Sequence, residues 1–147
     1  MQKIAAVITV AGIFLLLFVA ESGLTTARAA ECDYLKSNIR KEHDLHKRRA
    51  LYRQAIKLCQ DDVQLRYSYA YELERFRKYA EALEQYKRVV ELDPNMAKAY
   101  FNMGDIYKSH KQYSKAIESY KKGLRLDPDN TRVKKNLAEA SKELDKQ

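Results

Sequence analysis

The chain has 147 residues, a length that sets an expectation of one domain. Only four glycines and two prolines, with 33% charged residues of both signs, argue against a loop-rich or disordered chain. The formal net charge of +8 indicates a basic surface, which favours acidic partners or an anionic membrane surface.

Residues 1–29 have the pattern of a targeting segment. Lys3 gives a positive start, and Ile4–Ala20 is a run of 17 residues without a charge. The small and polar residues that follow end in Ala27-Arg28-Ala29, which predicts a signal peptide cleaved after Ala29. Because 17 apolar residues approach the length that spans a bilayer, an uncleaved membrane anchor is the alternative. In either case we expect an exported protein of a bacterial periplasm or cell envelope.

The sequence has two cysteines, Cys32 and Cys59. If the protein is exported to an oxidising compartment, these cysteines are expected to form a disulfide bond. Apolar residues at helical spacing predict an antiparallel hairpin over residues 30–58. That hairpin places the start of one helix, with Cys32, next to the end of the other, with Cys59, so we expect a bridge. Two free thiols, or a metal site with His43 and His46, are the alternatives. Both histidines, however, belong at the opposite end of the hairpin.

A dense group of basic residues between Arg40 and Lys57 marks the same hairpin. Arg48, Arg49 and Arg53 are its central members, and a solvated face is the simplest interpretation. Contact with anionic lipid head groups is the alternative. Nucleic acid would need a basic stripe of this kind, but export removes it as a partner.

The most regular part of the chain is a tandem pair of 34-residue units, Val63–Met96 and Ala97–Asn130. One fixed offset aligns Ala70 with Gly104, Ala82 with Ala116, Tyr86 with Tyr120 and Asp93-Pro94 with Asp127-Pro128. A period of this length is typical of helical hairpins that bury their apolar sides by stacking. Residues 29–62 form a degenerate first unit, and residues 131–147 predict a capping helix.

Side-chain size explains the aligned positions. A residue larger than alanine at Ala70, Gly104, Ala82 or Ala116 would force the two helices of a unit apart. Pro94 and Pro128 restrict the preceding residue and end the second helix of each unit.

These residues resemble the tetratricopeptide repeat (TPR) family. The third unit shows the pattern best, with Tyr100, Met103, Gly104, Tyr107, Ala116, Tyr120, Gly123 and Pro128. The resemblance implies an all-α, right-handed superhelical stack of about three helix–turn–helix hairpins plus a C-terminal capping helix. It also implies a concave groove, lined by the first helix of each unit, that binds partner proteins.

The groove positions of the family fall on residues of the second and third units. They include Tyr67, Tyr71, Lys98, Phe101, Asp105 and Lys108. The aromatic rings offer contact area at low entropic cost, although packing between neighbouring helices is the alternative for them. The lysines suit an extended, partly acidic peptide segment. Family members that hold a terminal carboxylate use Lys and Asn side chains, and here only Asn102 matches that set, so the resemblance does not imply that activity.

The sequence contains no nucleophile elbow, phosphate-binding loop or zinc-binding helix motif. We therefore expect no enzyme activity, no cofactor and no metal site. We expect instead an interaction module or scaffold of the cell envelope that binds a peptide segment of another protein in its groove. The alternative is a membrane-tethered structural or assembly subunit that docks through its basic first unit.

Overall fold

The computed structural model describes residues 25–146, which contain helices and no strand. Residues 1–24 of the predicted targeting segment lie outside this range. The chain divides into two compact units: unit 1 ends at Gln60, and unit 2 begins at Asp61. The all-α fold class expected from the sequence is confirmed.

Unit 1 is a helical hairpin. Helix α1 covers residues 25–41 of the described chain, and α2 covers Leu45–Leu58. The Oδ1 atom of Asp44 accepts the Lys47 N–H at 2.8 Å, which satisfies one of the unpaired donors at the start of α2. The point after Ala29 lies within α1, and its cleavage stays a prediction.

A disulfide bond between Cys32 and Cys59 closes the open end of this hairpin, with the two Cα atoms 6.0 Å apart. At the same end, Nε of Arg28 donates to the Leu58 carbonyl at 2.9 Å. The bridge is therefore the one expected from the helical spacing.

Unit 2 has five helices within the described residues: α3 (Val63–Arg75), α4 (Tyr79–Leu92), α5 (Ala97–Ser109), α6 (Tyr113–Leu126) and α7 (Thr131–Leu144). Each of the first four packs on the helix that follows it along the chain. Helices α3 and α5 both have 13 residues, whereas α4 and α6 both have 14. Unit 2 thus consists of two hairpins that repeat at the expected 34-residue offset and one closing helix.

The small residues of unit 2 lie where its helices approach most closely. Ala70, Ala82 and Ala116 are fully buried. A Cβ atom built on Gly104 would lie 2.5 Å from Cδ1 of Tyr120, a separation that carbon atoms cannot hold without displacement. The packing role assigned to these positions is confirmed.

The turn inside each hairpin of unit 2 uses a left-handed residue. Arg77 and Lys111, which are 34 positions apart, have φ angles of 59° and 58°. After Lys111, the Gln112 N–H reaches back to the Tyr107 carbonyl at 2.9 Å, which caps the end of α5.

Candidate functional site

Hydrogen bonds between side chains join α3 to α5 and α5 to α7. Helices α3 and α5 are the first helices of the two hairpins of unit 2, and α7 is its closing helix. Asn102 on α5 donates to the Tyr67 hydroxyl on α3 at 3.2 Å. Lys108 on α5 donates to Oδ1 of Asn136 on α7 at 2.9 Å. We call the surface that these helices share the groove face; it contains Tyr67, Tyr71, Glu74, Lys98, Asn102, Asp105, Lys108, Arg132 and Asn136.

One polar network on the groove face is built around Tyr86. Its hydroxyl donates to Oε2 of Glu74 at 2.8 Å and accepts from Nδ2 of Asn102 at 2.8 Å. Nδ2 of Asn102 also donates to Tyr67, so both amide hydrogens are used. Burial and the neighbouring Glu74 carboxylate raise the pKa of Tyr86 above its usual value, which keeps its hydroxyl protonated as the donor.

Glu74 has a less favourable electrostatic environment than its hydrogen bond suggests. Burial is the main cause that raises the pKa of its carboxyl, and the Asp105 carboxylate raises it further. The hydrogen bond from Tyr86 and the positive charge of Arg132 oppose this shift without overcoming it. The net direction shows that the folded protein disfavours the charged form of Glu74 relative to water.

A second network is built around Asp105. Its Oδ1 atom accepts from the Tyr120 hydroxyl at 2.6 Å and from Asn136 at 2.9 Å. Its Oδ2 atom pairs with Arg132 at 2.7 Å. Tyr120 and Asn136 lie 34 positions after Tyr86 and Asn102, so the two networks use equivalent residues with different carboxylates.

The structure assigns different roles to the residues that the sequence placed in the groove. Tyr71 is 51% exposed, Tyr67 is half-buried and Lys98 is exposed. Asp105 and Lys108 are on the groove face but already have partners, because Lys108 also pairs with Glu139 of α7 at 2.9 Å. Tyr67, Tyr71 and Lys98 are therefore the predicted residues most available to a ligand.

Phe101 is not on the groove wall, and that part of the prediction is wrong. Its side chain is 3% exposed and packs on Gly123 of α6. A Cβ atom on Gly123 would lie 2.6 Å from Cδ1 of the Phe101 ring, so the missing side chain of this glycine makes room for the ring. Phe101 belongs to the core of unit 2.

The basic patch predicted in the first hairpin, Arg48, Arg49 and Arg53, lies on α2 of unit 1. Arg53 is exposed, whereas Arg48 and Arg49 are partly buried. Nη1 of Arg48 donates to the Glu42 carbonyl at 3.2 Å, so this side chain helps to hold the turn. Helix α2 contains no Asp or Glu, unlike the helices of unit 2.

The hydroxyls of Tyr86 and Tyr120 are polar groups of the groove face that the sequence analysis did not identify. Both rings are fully buried, yet each hydroxyl reaches a carboxylate of the groove face. The signal in the sequence was the pair Asn102 and Asn136 at the repeat offset, which supplies an amide near each tyrosine.

The described chain offers neither a metal-binding cluster nor a membrane span. No group of three or more His, Cys, Asp or Glu side chains within residues 25–146 is arranged to hold a metal ion. In that same range, every helix is too short or too polar to cross a bilayer.

Known families account for the repeat pattern. Residues 97–130 match the tetratricopeptide repeat model, and residues 78–111 match a second model described as TPR repeat. Residues 78–130 therefore contain tetratricopeptide repeats. The first match covers the same residues as the third unit predicted from the sequence.

Solved structures show the same fold at low sequence identity. The first TPR of Spaghetti (RPAP3), bound to the HSP90 peptide SRMEEVD, has 22% identity and a TM-score of 0.68, and the match covers 77% of this chain and 92% of that chain. The MamA protein has 18% identity and a TM-score of 0.71, and the match covers 97% of this chain and 79% of that chain. The Sgt2 TPR domain from Aspergillus fumigatus has 24% identity and a TM-score of 0.64, and the match covers 78% of this chain and 80% of that chain. Among curated proteins, none matches the sequence significantly.

Proposed function

We propose that unit 2 is a non-enzymatic interaction module that binds an extended peptide segment of a partner protein on its groove face. The observation that carries this proposal is Tyr71, a large aromatic side chain that is 51% exposed beside a hydrogen-bonded polar surface. An exposed tyrosine over an ordered surface supplies contact area at a small entropic cost, as hot-spot residues of interfaces do. The peptide bound to the similar TPR of Spaghetti supports a ligand of this kind.

The charges at one end of the groove face favour acidic residues in the bound segment. Lys98 and Arg132 occupy the second position of α5 and α7, and both are exposed. Lys108, which the sequence also assigned to this role, is already paired with Glu139 and contributes less. Arg132 is likewise paired with Asp105, so the acidic part of the segment belongs near Lys98.

The cell envelope is the setting that we propose. The Cys32–Cys59 disulfide suits an oxidising compartment, because cytosolic reductants keep most thiols reduced. The charge-free run at Ile4–Ala20 supports export of the chain.

Replacement of Tyr71 by alanine tests the groove. Peptides selected from a random phage-displayed library on the intact protein provide the ligand, and fluorescence anisotropy measures their Kd. We expect Tyr71→Ala to weaken binding by about 2 kcal/mol or more, which is roughly thirtyfold in Kd. Tyr34→Ala in unit 1, where the ring is 67% exposed, is the matched control and should leave Kd unchanged. Equal Kd values for both variants would remove the groove face as the binding surface.

A second function is favoured by the charge of α2. This helix has five Lys or Arg residues and no acidic residue. We propose that unit 1 docks on an anionic membrane surface as part of a tethered assembly.

Vesicle sedimentation tests that second function. The intact protein should bind phosphatidylglycerol vesicles in a salt-dependent manner, and Lys47→Glu with Arg53→Glu should reduce the bound fraction severalfold. Lys121→Glu, an exposed position on α6, is the control. Equal losses for both charge reversals would show that net charge, rather than α2, drives the binding.

A further inference from the structure

The two carboxylates of the groove face differ in how their charge is balanced. Asp105 is neutralised by Arg132 at 2.7 Å and also accepts from Asn136 and Tyr120. The Glu74 carboxylate accepts one hydrogen bond, from Tyr86, and within residues 25–146 it forms no ion pair. A half-buried carboxylate without a paired cation is unfavourable, and burial raises its pKa accordingly. A ligand that brings a positive charge would remove this imbalance.

Two aromatic rings lie on the same face of α3 as Glu74. Tyr67, Tyr71 and Glu74 are spaced by four and then three residues, which places them one above the other along the helix. The Tyr67 ring is held by the hydrogen bond from Asn102 and by contact with the Tyr86 ring at a centroid distance of 5.7 Å. Tyr71 is 51% exposed and has its ring open to a ligand.

This combination favours a cation over a carboxylate. Tyrosine faces attract ammonium and guanidinium groups through the negative face of the ring, and Glu74 adds a full negative charge beside them. The amide of Asn102, which belongs to the same network, has both hydrogens bound to Tyr67 and Tyr86 and has none left to donate to an anion.

We propose that Tyr67, Tyr71 and Glu74 form a subsite for the Lys or Arg side chain of the bound peptide segment. This inference rests on the proposed function of the groove face and adds the charge pattern of the ligand. The segment carries a basic residue at Glu74 and an acidic residue near Lys98. The groove face would therefore bind a peptide segment that contains both basic and acidic residues.

Peptide selection tests the subsite. A random phage-displayed library is selected on the intact protein, on Glu74→Gln and on the matched control Glu118→Gln, which neutralises an exposed carboxylate on α6. In Glu74→Gln the new amide oxygen can still accept from the Tyr86 hydroxyl, so the fold should be retained. We expect Lys or Arg to be enriched at one position on the intact protein and on Glu118→Gln, and this enrichment to be reduced on Glu74→Gln.

A second measurement isolates the charge. A selected peptide should bind the intact protein roughly tenfold more tightly than the same peptide with norleucine in place of its basic residue. On Glu74→Gln this difference in Kd should become severalfold smaller, because only the tyrosine faces remain to attract the cation, and an unchanged difference would contradict the role of Glu74. If Glu74→Gln fails to fold by circular dichroism, Tyr71→Leu replaces it, because this exposed position tolerates substitution, and it should reduce the same preference.

The outcomes of these experiments distinguish failure of the cation subsite from failure of the proposed peptide-binding function. If no peptide is selected at all, the proposed function fails. If peptides are selected and depend on Tyr71, but contain no favoured basic residue or prefer an acidic one at this position, the groove remains and the cation subsite is overturned.

Discussion

In unit 2, small residues at fixed intervals let large neighbours pack between the helices, as Tyr120 does over Gly104. In unit 1, the alignment of the repeats puts Lys36 and Arg48 at the equivalent small positions, and both are only partly buried. Its hairpin has a disulfide bond at one end instead. A helical pair that lacks small contact residues buries less apolar surface, and a covalent bond then supplies stability by restricting the unfolded chain.

The largest effect should follow the loss of a core tyrosine from unit 2. Tyr120→Ala removes a fully buried ring, and we expect a loss of about 3–5 kcal/mol in the free energy of unfolding of that unit. Urea denaturation followed by circular dichroism measures it. Tyr34→Ala in unit 1 is the control and should change stability by less than about 0.5 kcal/mol. Similar losses for both variants would contradict the assignment of Tyr120 as a core residue.

Removal of the disulfide bond tests whether this bond stabilises unit 1. We expect Cys32→Ser with Cys59→Ser to cost unit 1 about 2–4 kcal/mol. Native-state hydrogen exchange gives the readout, since amides of α2 should exchange faster while those of α6 keep their protection. Unchanged exchange in α2 would mean that packing alone holds the hairpin.

The close approach at Gly104 can be tested by filling it. Gly104→Ala should destabilise unit 2 by about 1–3 kcal/mol, because its new methyl group meets the Tyr120 ring. Tyr120→Leu in the same chain removes the ring and should recover part of that loss. A double-mutant cycle measures the coupling, and additive effects would show that these two residues do not compete for space.

A substitution in a turn of unit 2 should give the smallest change in the free energy of unfolding, and this change should be stabilising. Lys111 has a φ of 58°, a conformation that glycine adopts without strain, so we expect Lys111→Gly to raise stability by about 0.5 kcal/mol. The matched control is Lys121→Gly inside α6, which should cost about 1 kcal/mol. Thermal denaturation compares them, and a loss at both positions would contradict the left-handed turn.

The repeat period was readable in the sequence because it fixes side-chain size at few positions. Ala82 and Ala116 had to be small wherever the helices met, so their burial followed from the alignment alone. Phe101 was misplaced because its environment depends on a second position, where Gly123 replaces Val89 of the preceding unit. The glycine makes room for Phe101 in the core, whereas Tyr67 at the equivalent position of the preceding unit is half-buried.

The polar part of the groove face was harder to predict. The partners of Asp105 come from α6 and α7, and which of them meet depends on the angle between helices. Spacing along one helix carries no information on that angle. The helices and their buried small residues were therefore predictable from the repeat pattern, whereas the division into paired and unpaired charges depends on contacts between helices.

The bond between Cys32 and Cys59 also makes residues 32–59 a closed loop of covalent bonds, with the non-helical residues 42–44 at its far side. A protease that cuts this turn once opens the loop without releasing either piece. The cleaved chain keeps its size on a non-reducing gel and separates into two fragments only after a thiol is added. Nicking of unit 1 is thus invisible until the sample is reduced.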